Sequence, residues 1–209
     1  MNHNLKLRII SSLVLAPLFV YSIVWSQGLY YIFMLTIAAL MLLEWYKMTK
    51  NTYYIGYGPI IILPAVISLI MIRYKFGYIT TLMYFLSLWS TDTFAMFGGK
   101  AIGGPKLAPI LSPNKTWSGL ICGALSSMLC CCVVGAVLED DIFAISLPLY
   151  GILNALLAQS GDLFISFFKR RCNVKDTGNL ILGHGGVLDR FDGIVISAPV
   201  LLAILLLLL

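Results

Sequence analysis

Apolar residues run through this chain in long blocks, not in the short alternations of a soluble fold. Blocks fall at 9–25, 29–43, 59–72, 78–97, 117–138, 142–165 and 187–209. A bilayer-spanning helix needs about 20 predominantly apolar residues, so most of these blocks are of membrane length. The block at 59–72 is short and either spans or re-enters. Ser26, Gln27 and Gly28 interrupt the first pair and read as a hairpin turn. The pattern predicts an all-α polytopic transmembrane bundle of about seven segments with two polar cytoplasmic loops. No linker separates two domains, so 1–209 reads as a single integral-membrane unit, with N-terminal helices over 1–75 and the polar stretches confined to 78–209. Trp25, Trp45, Tyr53, Tyr54 and Tyr57 lie near block ends, where interfacial aromatics collect. Pro17 and Pro64 sit inside blocks, as membrane helices tolerate.

Composition supports this class. The chain is 60% hydrophobic and only 11% charged, against about 25% charged in soluble domains. The formal net charge of +5 fits cytoplasmic loops and anionic phosphates better than nucleic acid, so no nucleic-acid partner is expected. Lys6 and Arg8 before the first block imitate a signal peptide, but no small-residue cleavage site follows before Trp25. The block reads as an uncleaved helix. Of the cysteines, Cys122, Cys130, Cys131 and Cys132 share one apolar block and Cys172 stands apart. Their spacing fits no metal finger, and they read as small packing residues.

Positive charge sets the orientation. With the N-terminus in the cytoplasm and every block spanning, Lys6, Arg8, Lys47, Lys50, Lys100, Lys106, Lys115, Lys169, Arg170, Arg171 and Lys175 fall inside, and Arg190 lies at the inner end of the last block. Arg73, Lys75 and the acidic run Glu139, Asp140, Asp141 fall outside.

With Glu44 and the outer run set aside, Asp92, Asp162, Asp176, Asp189 and Asp192 remain, all toward the cytoplasmic side. Asp92, Asp162 and Asp192 lie within apolar sequence, where a carboxylate costs about 2.5–3.5 kcal/mol and needs a partner. Asp162, Ser166, Lys169 and Arg170 share one helical face if the sixth helix continues past Ser166. Asp189 and Asp192 share another face, and like charges so spaced call for a cation. Asp162, Asp189 and Asp192 are therefore candidate ligands for Mg²⁺, which takes one or two carboxylates, waters and substrate phosphates. The alternative is pairing with Lys169, Arg170 and Arg190 alone. Gly183, His184, Gly185 and Gly186 precede the last block and either cradle an anion at a helix start or simply turn. The stretch from Gly98 to Thr116 holds Lys100, Lys106, Lys115, Ser112 and Thr116. It has the materials for phosphate binding without a Walker pattern, and equally those of an ordinary positive-inside loop.

The residues Ser166, Lys169, Arg170, Lys175, Asp176, Gly178, His184, Gly185, Gly186, Asp189, Arg190 and Asp192 resemble, at matching spacings, the signature of phosphatidate cytidylyltransferases (CDP-diacylglycerol synthases). Gly161-Asp162-Leu163, the Ser112-Pro113-x-Lys115-Thr116 segment and Asp92 extend the resemblance to about half of the chain. Leu182 stands where the family usually has proline, Ser118 where it has glutamate, and the N-terminal half is short. These departures touch lipid access and dimer contacts more than chemistry. The resemblance implies transfer of CMP from CTP to phosphatidic acid, giving CDP-diacylglycerol and pyrophosphate, at a bacterial inner membrane with the site facing the cytoplasm. It implies Asp162, Asp189 and Asp192 on Mg²⁺, with a second cation also accommodated, and Lys169 among the catalytic groups. Ser166, Arg170 and Lys175 would bind phosphates, Ser112, Lys115 and Thr116 nucleotide or headgroup, and Asp176, His184, Gly185, Gly186 and Arg190 would complete the substrate contacts. CTP, phosphatidic acid, the bilayer and a second copy of the chain are the expected partners. A CTP-dependent lipid-alcohol kinase and, from another class, a cation transporter are the competing functions. The chemistry requires Asp162 and Asp189 to meet at one cleft.

Overall fold

The computed structural model describes residues 16–138, 146–178, 180 and 185–208. His184, Leu182, Gly183, the basic residues Lys6 and Arg8, and the acidic run at 139–141 lie outside them.

Helix α1 (Ala16–Trp25) leads through Ser26 into α2 (Gln27–Thr49), whose N-cap is that serine: its Oγ accepts from the Leu29 amide at 3.2 Å. Tyr30, Met34, Ile37, Met41 and Trp45 recur at helical spacing on α2 and are buried, while Ile32, Leu35 and Leu43 on the other side are exposed. Both faces are apolar because one packs on protein and the other on lipid. The sequence therefore marks the helix but not its inner face.

A 3-10 turn (Tyr53–Gly56) opens into α3 (Tyr57–Ile102), 46 residues long. Straight, it would run about 69 Å, far more than the roughly 30 Å of a bilayer's hydrocarbon. It is broken at Gly77, which has φ 83° and ψ −174°. Arg73 Nε, just before the break, donates to the Ile23 carbonyl of α1 at 2.9 Å, and the Tyr30 hydroxyl at the start of α2 donates to the Leu69 carbonyl at 3.3 Å. Beyond the break, Phe85 packs edge-on against Phe19, a turn earlier in α1, at 4.8 Å. The chain thus reverses at Gly77. That backbone region is open essentially to glycine alone, and a side chain there costs on the order of 1–3 kcal/mol. No atom lies within 4 Å of a Cβ built at Gly77, so the whole penalty is conformational. Gly77→Ala is expected to lower the unfolding temperature in detergent by several degrees while leaving turnover per folded molecule unchanged. Parallel melting curves and product assays check both.

After α3, the predicted polar loop is partly ordered structure. Helix α3 continues through Gly98, Gly99 and Lys100, and strands β1 (Lys106–Ala108) and β2 (Ser112–Thr116) pair antiparallel, Lys106 with Thr116 and Ala108 with Ser112. The protein is an all-α helical bundle, as expected, and this two-stranded hairpin is a small addition within its polar loop. Helix α4 (Trp117–Leu138) follows directly, then α5 (Leu147–Arg171), the short α6 (Leu188–Phe191) and α7 (Ile194–Leu207).

Among the described residues, five helices are long and apolar enough to cross a membrane. Small residues let them approach closely. A Cβ at Gly119 on α4 would lie 2.7 Å from the Ala95 carbonyl of α3, and one at Gly151 on α5 would lie 2.7 Å from the Met128 Cα of α4. Polar ties add specificity in the apolar interior: Asn154 Nδ2 donates to the Tyr84 carbonyl at 3.1 Å, and the Tyr84 and Ser197 hydroxyls meet at 2.6 Å, joining α3, α5 and α7. Trp45 departs from the interfacial expectation. It is 1% exposed, its indole N–H donates to the Tyr54 carbonyl at 3.1 Å, and it packs on Phe168 at 5.0 Å. All five cysteines are free, with Cys131 fully buried in the smaller apolar cluster.

Candidate active site

Helix α5 is the spine of the site. It runs to Arg171, past Ser166, and its last turn carries Lys169, Arg170 and Arg171, a favourable place for cations at a helix C-terminus. The continuation puts Asp162, Ser166 and Lys169 on one face, as the spacing requires. Ser166 Oγ donates to Asp162 Oδ1 at 3.3 Å. The other Asp162 oxygen pairs with the ammonium of Lys115, brought in by β2. That ammonium is buried and makes no further hydrogen bond among the described residues.

Asp92 on α3 faces the same space. Gln159, one turn before Asp162 on α5, donates to it through Nε2 at 3.4 Å. Asp92 and Asp162 line a cavity of about 710 Å³ between α3, the hairpin, α4 and α5, together with Lys100, Lys106, Lys115 and Thr116. Three ammonium groups and two carboxylates around one open cavity make a site for a polyanion, with acids available to organise a cation. Thr116 is partly committed already: its Oγ1 accepts from the Gly119 amide at 3.1 Å and meets Ser118 Oγ at 3.0 Å, capping α4. Ser118, in the place of the family's glutamate, donates to the Gly103 carbonyl and ties the end of α3 to the start of α4.

Asp189 is not part of the cavity's lining. Its Oδ1 accepts from Lys169 Nζ at 2.9 Å, both side chains being 9% exposed. Its Oδ2 accepts from the Thr177 amide at 2.8 Å and the Gly186 amide at 3.2 Å, and lies 3.0 Å from the Thr177 hydroxyl. The glycine turn before α6 has the composition either of an anion cradle or of a simple turn. The amides of Gly186, Val187 and Leu188 are taken up by the protein's own carboxylates, Asp189 and Glu44. Gly185 has φ 85°, so the turn does need glycine at that position.

Asp192 caps the C-terminus of α6. Its backbone approaches α5 beside Asp162. The approach depends on Gly161: a Cβ there would lie 2.7 Å from the Asp192 carbonyl and 2.8 Å from that of Gly193. Asp162 is thus held against the α6–α7 joint by backbone contact.

The other signature residues are spread around this centre. Arg170 leaves the Asp162 face, donating through Nε to the Leu111 carbonyl in the hairpin turn at 3.2 Å and through Nη1 to the Val174 carbonyl at 3.2 Å. Lys175, Asp176 and Arg190 are exposed, and Ser112 is half-buried at the start of β2. His184 lies outside the described residues.

Glu44 is the residue that sequence reasoning set aside. The apolar block ends at Leu43 and leaves Glu44 just beyond it, but α2 continues to Thr49, and Glu44 is 1% exposed. A carboxylate inside an apolar helix was the signal that flagged Asp92, and it applied here too. Gln159 carried no comparable signal.

Among the described residues, no three Asp, Glu, His or Cys side chains stand close enough to share one metal ion. The donor chemistry still fits Mg²⁺. Asp92 and Asp162 open on one cavity, and Mg²⁺ needs only one or two carboxylates when phosphates and waters complete its shell.

The family model described as "Cytidylyltransferase family" matches residues 52–208. A phosphatidate cytidylyltransferase of Rickettsia bellii is 47% identical over 95% of this chain and 89% of its own length. One of Rickettsia typhi is 46% identical over 96% and 92%. One of Brucella abortus is 46% identical over 60% of this chain and 46% of its own length.

Proposed function

The chain belongs to the cytidylyltransferase family, and from that premise we propose that it transfers CMP from CTP to phosphatidic acid, forming CDP-diacylglycerol and pyrophosphate in phospholipid biosynthesis. It is an integral, multi-pass membrane enzyme. The observation that carries the reading is the cavity lined by Lys100, Lys106 and Lys115 with Asp92 and Asp162. Both substrates are phosphates, and this is the charge pattern that receives them.

A phosphatidate oxygen attacks the α-phosphorus of CTP, a new P–O bond forms, and the bond to the β-phosphate oxygen breaks with its electron pair leaving on pyrophosphate. No protein nucleophile is needed. Positioning and charge neutralisation supply the acceleration. Lys100, Lys106 and Lys115 take the triphosphate. Asp162, with Asp92 on the same cavity, would hold Mg²⁺, which when bound neutralises phosphate charge and polarises the phosphorus under attack. Lys115 then has a double part, neutralising Asp162 and meeting the substrate phosphate. Lys169 and Asp189 act as a pair that fixes the signature turn to α5. Arg170 braces the hairpin that carries Lys115.

We read seven crossings with the N-terminus in the cytoplasm, a count that the reversal at Gly77 supports; on that reading the cavity faces the cytoplasm. Arg73 and Lys75 then lie outside, beside the end of α1.

The purified protein in detergent, given labelled CTP, phosphatidate and Mg²⁺, is expected to release pyrophosphate and a labelled lipid. Release of CDP with a phosphorylated lipid alcohol would establish the kinase instead. Cation flux into liposomes without CTP would establish the transporter.

A further inference from the structure

We propose that Glu44, on α2 and outside the residues matched by the family model, is a positioning residue for this reaction: it sets the place of the turn and short helix that carry Asp189, Arg190 and Asp192. The inference rests on the CTP-dependent reading above. Glu44 Oε1 accepts from the Val187 amide at 2.9 Å, and Oε2 accepts from the Leu188 amide at 2.8 Å and from the Thr177 hydroxyl at 3.0 Å. The backbone closes around the carboxylate on two sides. A Cβ at Gly178 would lie 2.7 Å from Oε1, and one at Gly186 would lie 2.6 Å from Oε2. Neither glycine can become larger without displacing the glutamate.

A buried carboxylate persists only where strong hydrogen bonds replace water, and bonds from amides to an ionised acceptor are of that kind. A merely apolar contact between α2 and α6 would have packed the helices without fixing their register. The carboxylate does more, because its link continues to the chemistry. Thr177 stands between Glu44 and Asp189, its single hydroxyl proton within reach of both, and Asp189 holds Lys169. Glu44, Thr177, Asp189 and Lys169 form one connected line from α2 to the face of α5 that bears Asp162.

Glu44→Gln tests this. The amide keeps the shape but turns an NH₂ group toward a backbone N–H. For the folded protein in detergent, kcat is expected to fall about tenfold or more, the scale of a small misplacement at a reacting centre, with KM for CTP changed less than about threefold. Glu44→Asp should recover part of the loss. Thr177→Val should lower kcat in the same direction, and the double variant should fall no further than the worse single one, since both cut one line. A parental kcat in folded Glu44→Gln, with only a lowered melting temperature, would overturn the inference, as would full additivity. If Glu44→Gln does not fold, Thr177→Val decides alone: it leaves both amides on Glu44, and a parental kcat in it overturns the inference. If the parent protein itself makes no lipid from CTP and phosphatidate, the functional reading has failed, a result distinct from any of these.

Discussion

Asp162→Asn is expected to remove turnover almost completely, lowering kcat by about 10²–10³-fold, the scale found when one preorganised charge is withdrawn from a site that stabilises developing charge. The side chain has three roles in one place. It faces the cavity beside Asp92, it neutralises the buried ammonium of Lys115, and it accepts from Ser166. The amide retains the hydrogen bond from Ser166 but loses the charge, so a cation at the cavity loses a ligand and Lys115 loses its only partner among the described residues. Asp162 is about 29% exposed on its side chain, but the Lys115 ammonium it neutralises is buried, so the variant is also expected to melt below the parent and turnover is compared per folded molecule. The assay follows labelled CDP-diacylglycerol, with melting in detergent as the control for folding. An activity within threefold of the parent would remove Asp162 from the mechanism.

Asp189→Asn should behave differently, because the damage is to stability as well as to rate. Asp189 and Lys169 are each 9% exposed and 2.9 Å apart. Removing one member of a buried pair strands the other charge, at about 3–5 kcal/mol. The variant is expected to melt well below the parent and to be inactive. Lys169→Met in the Asp189→Asn background removes the stranded charge, so the double variant should regain much of the lost stability. It should stay inactive, because the turn carrying Arg190 and Asp192 is no longer held to the face of Asp162. Restored activity in the double variant would make the pair purely structural. An unchanged melting temperature in the single variant would mean that the pair does not form.

Much of the site was legible because it is local. Asp162, Ser166 and Lys169 recur at helical spacing, and a helix that continues to Arg171 must place them together. The intramembrane position of Asp92 also marked it as a residue needing a partner. What the spacing could not show was the partner's identity. Gln159 reaches Asp92 across 67 positions, and Thr177 reaches Glu44 across 133. The glycine turn shows the limit most clearly. Its composition fits an anion cradle, yet whether the anion is a substrate or the protein's own carboxylate depends on where α2 ends in space.

The sequence by itself determined the membrane class, the approximate helices, the gathering of lysines in the polar stretches between them and the order of the signature, since each follows from local hydropathy, charge and spacing along one chain. The tertiary structure alone decided which face of each helix is buried, that the polar segment after α3 folds as a hairpin delivering Lys115 to Asp162, that the chain reverses at Gly77, and that Glu44 clasps the turn before α6. The physical reason is that lipid and protein interior are equally apolar. Hydropathy places a helix in the membrane but does not choose its neighbours; that choice falls to glycine contacts and to a few polar groups that must find one another between distant segments.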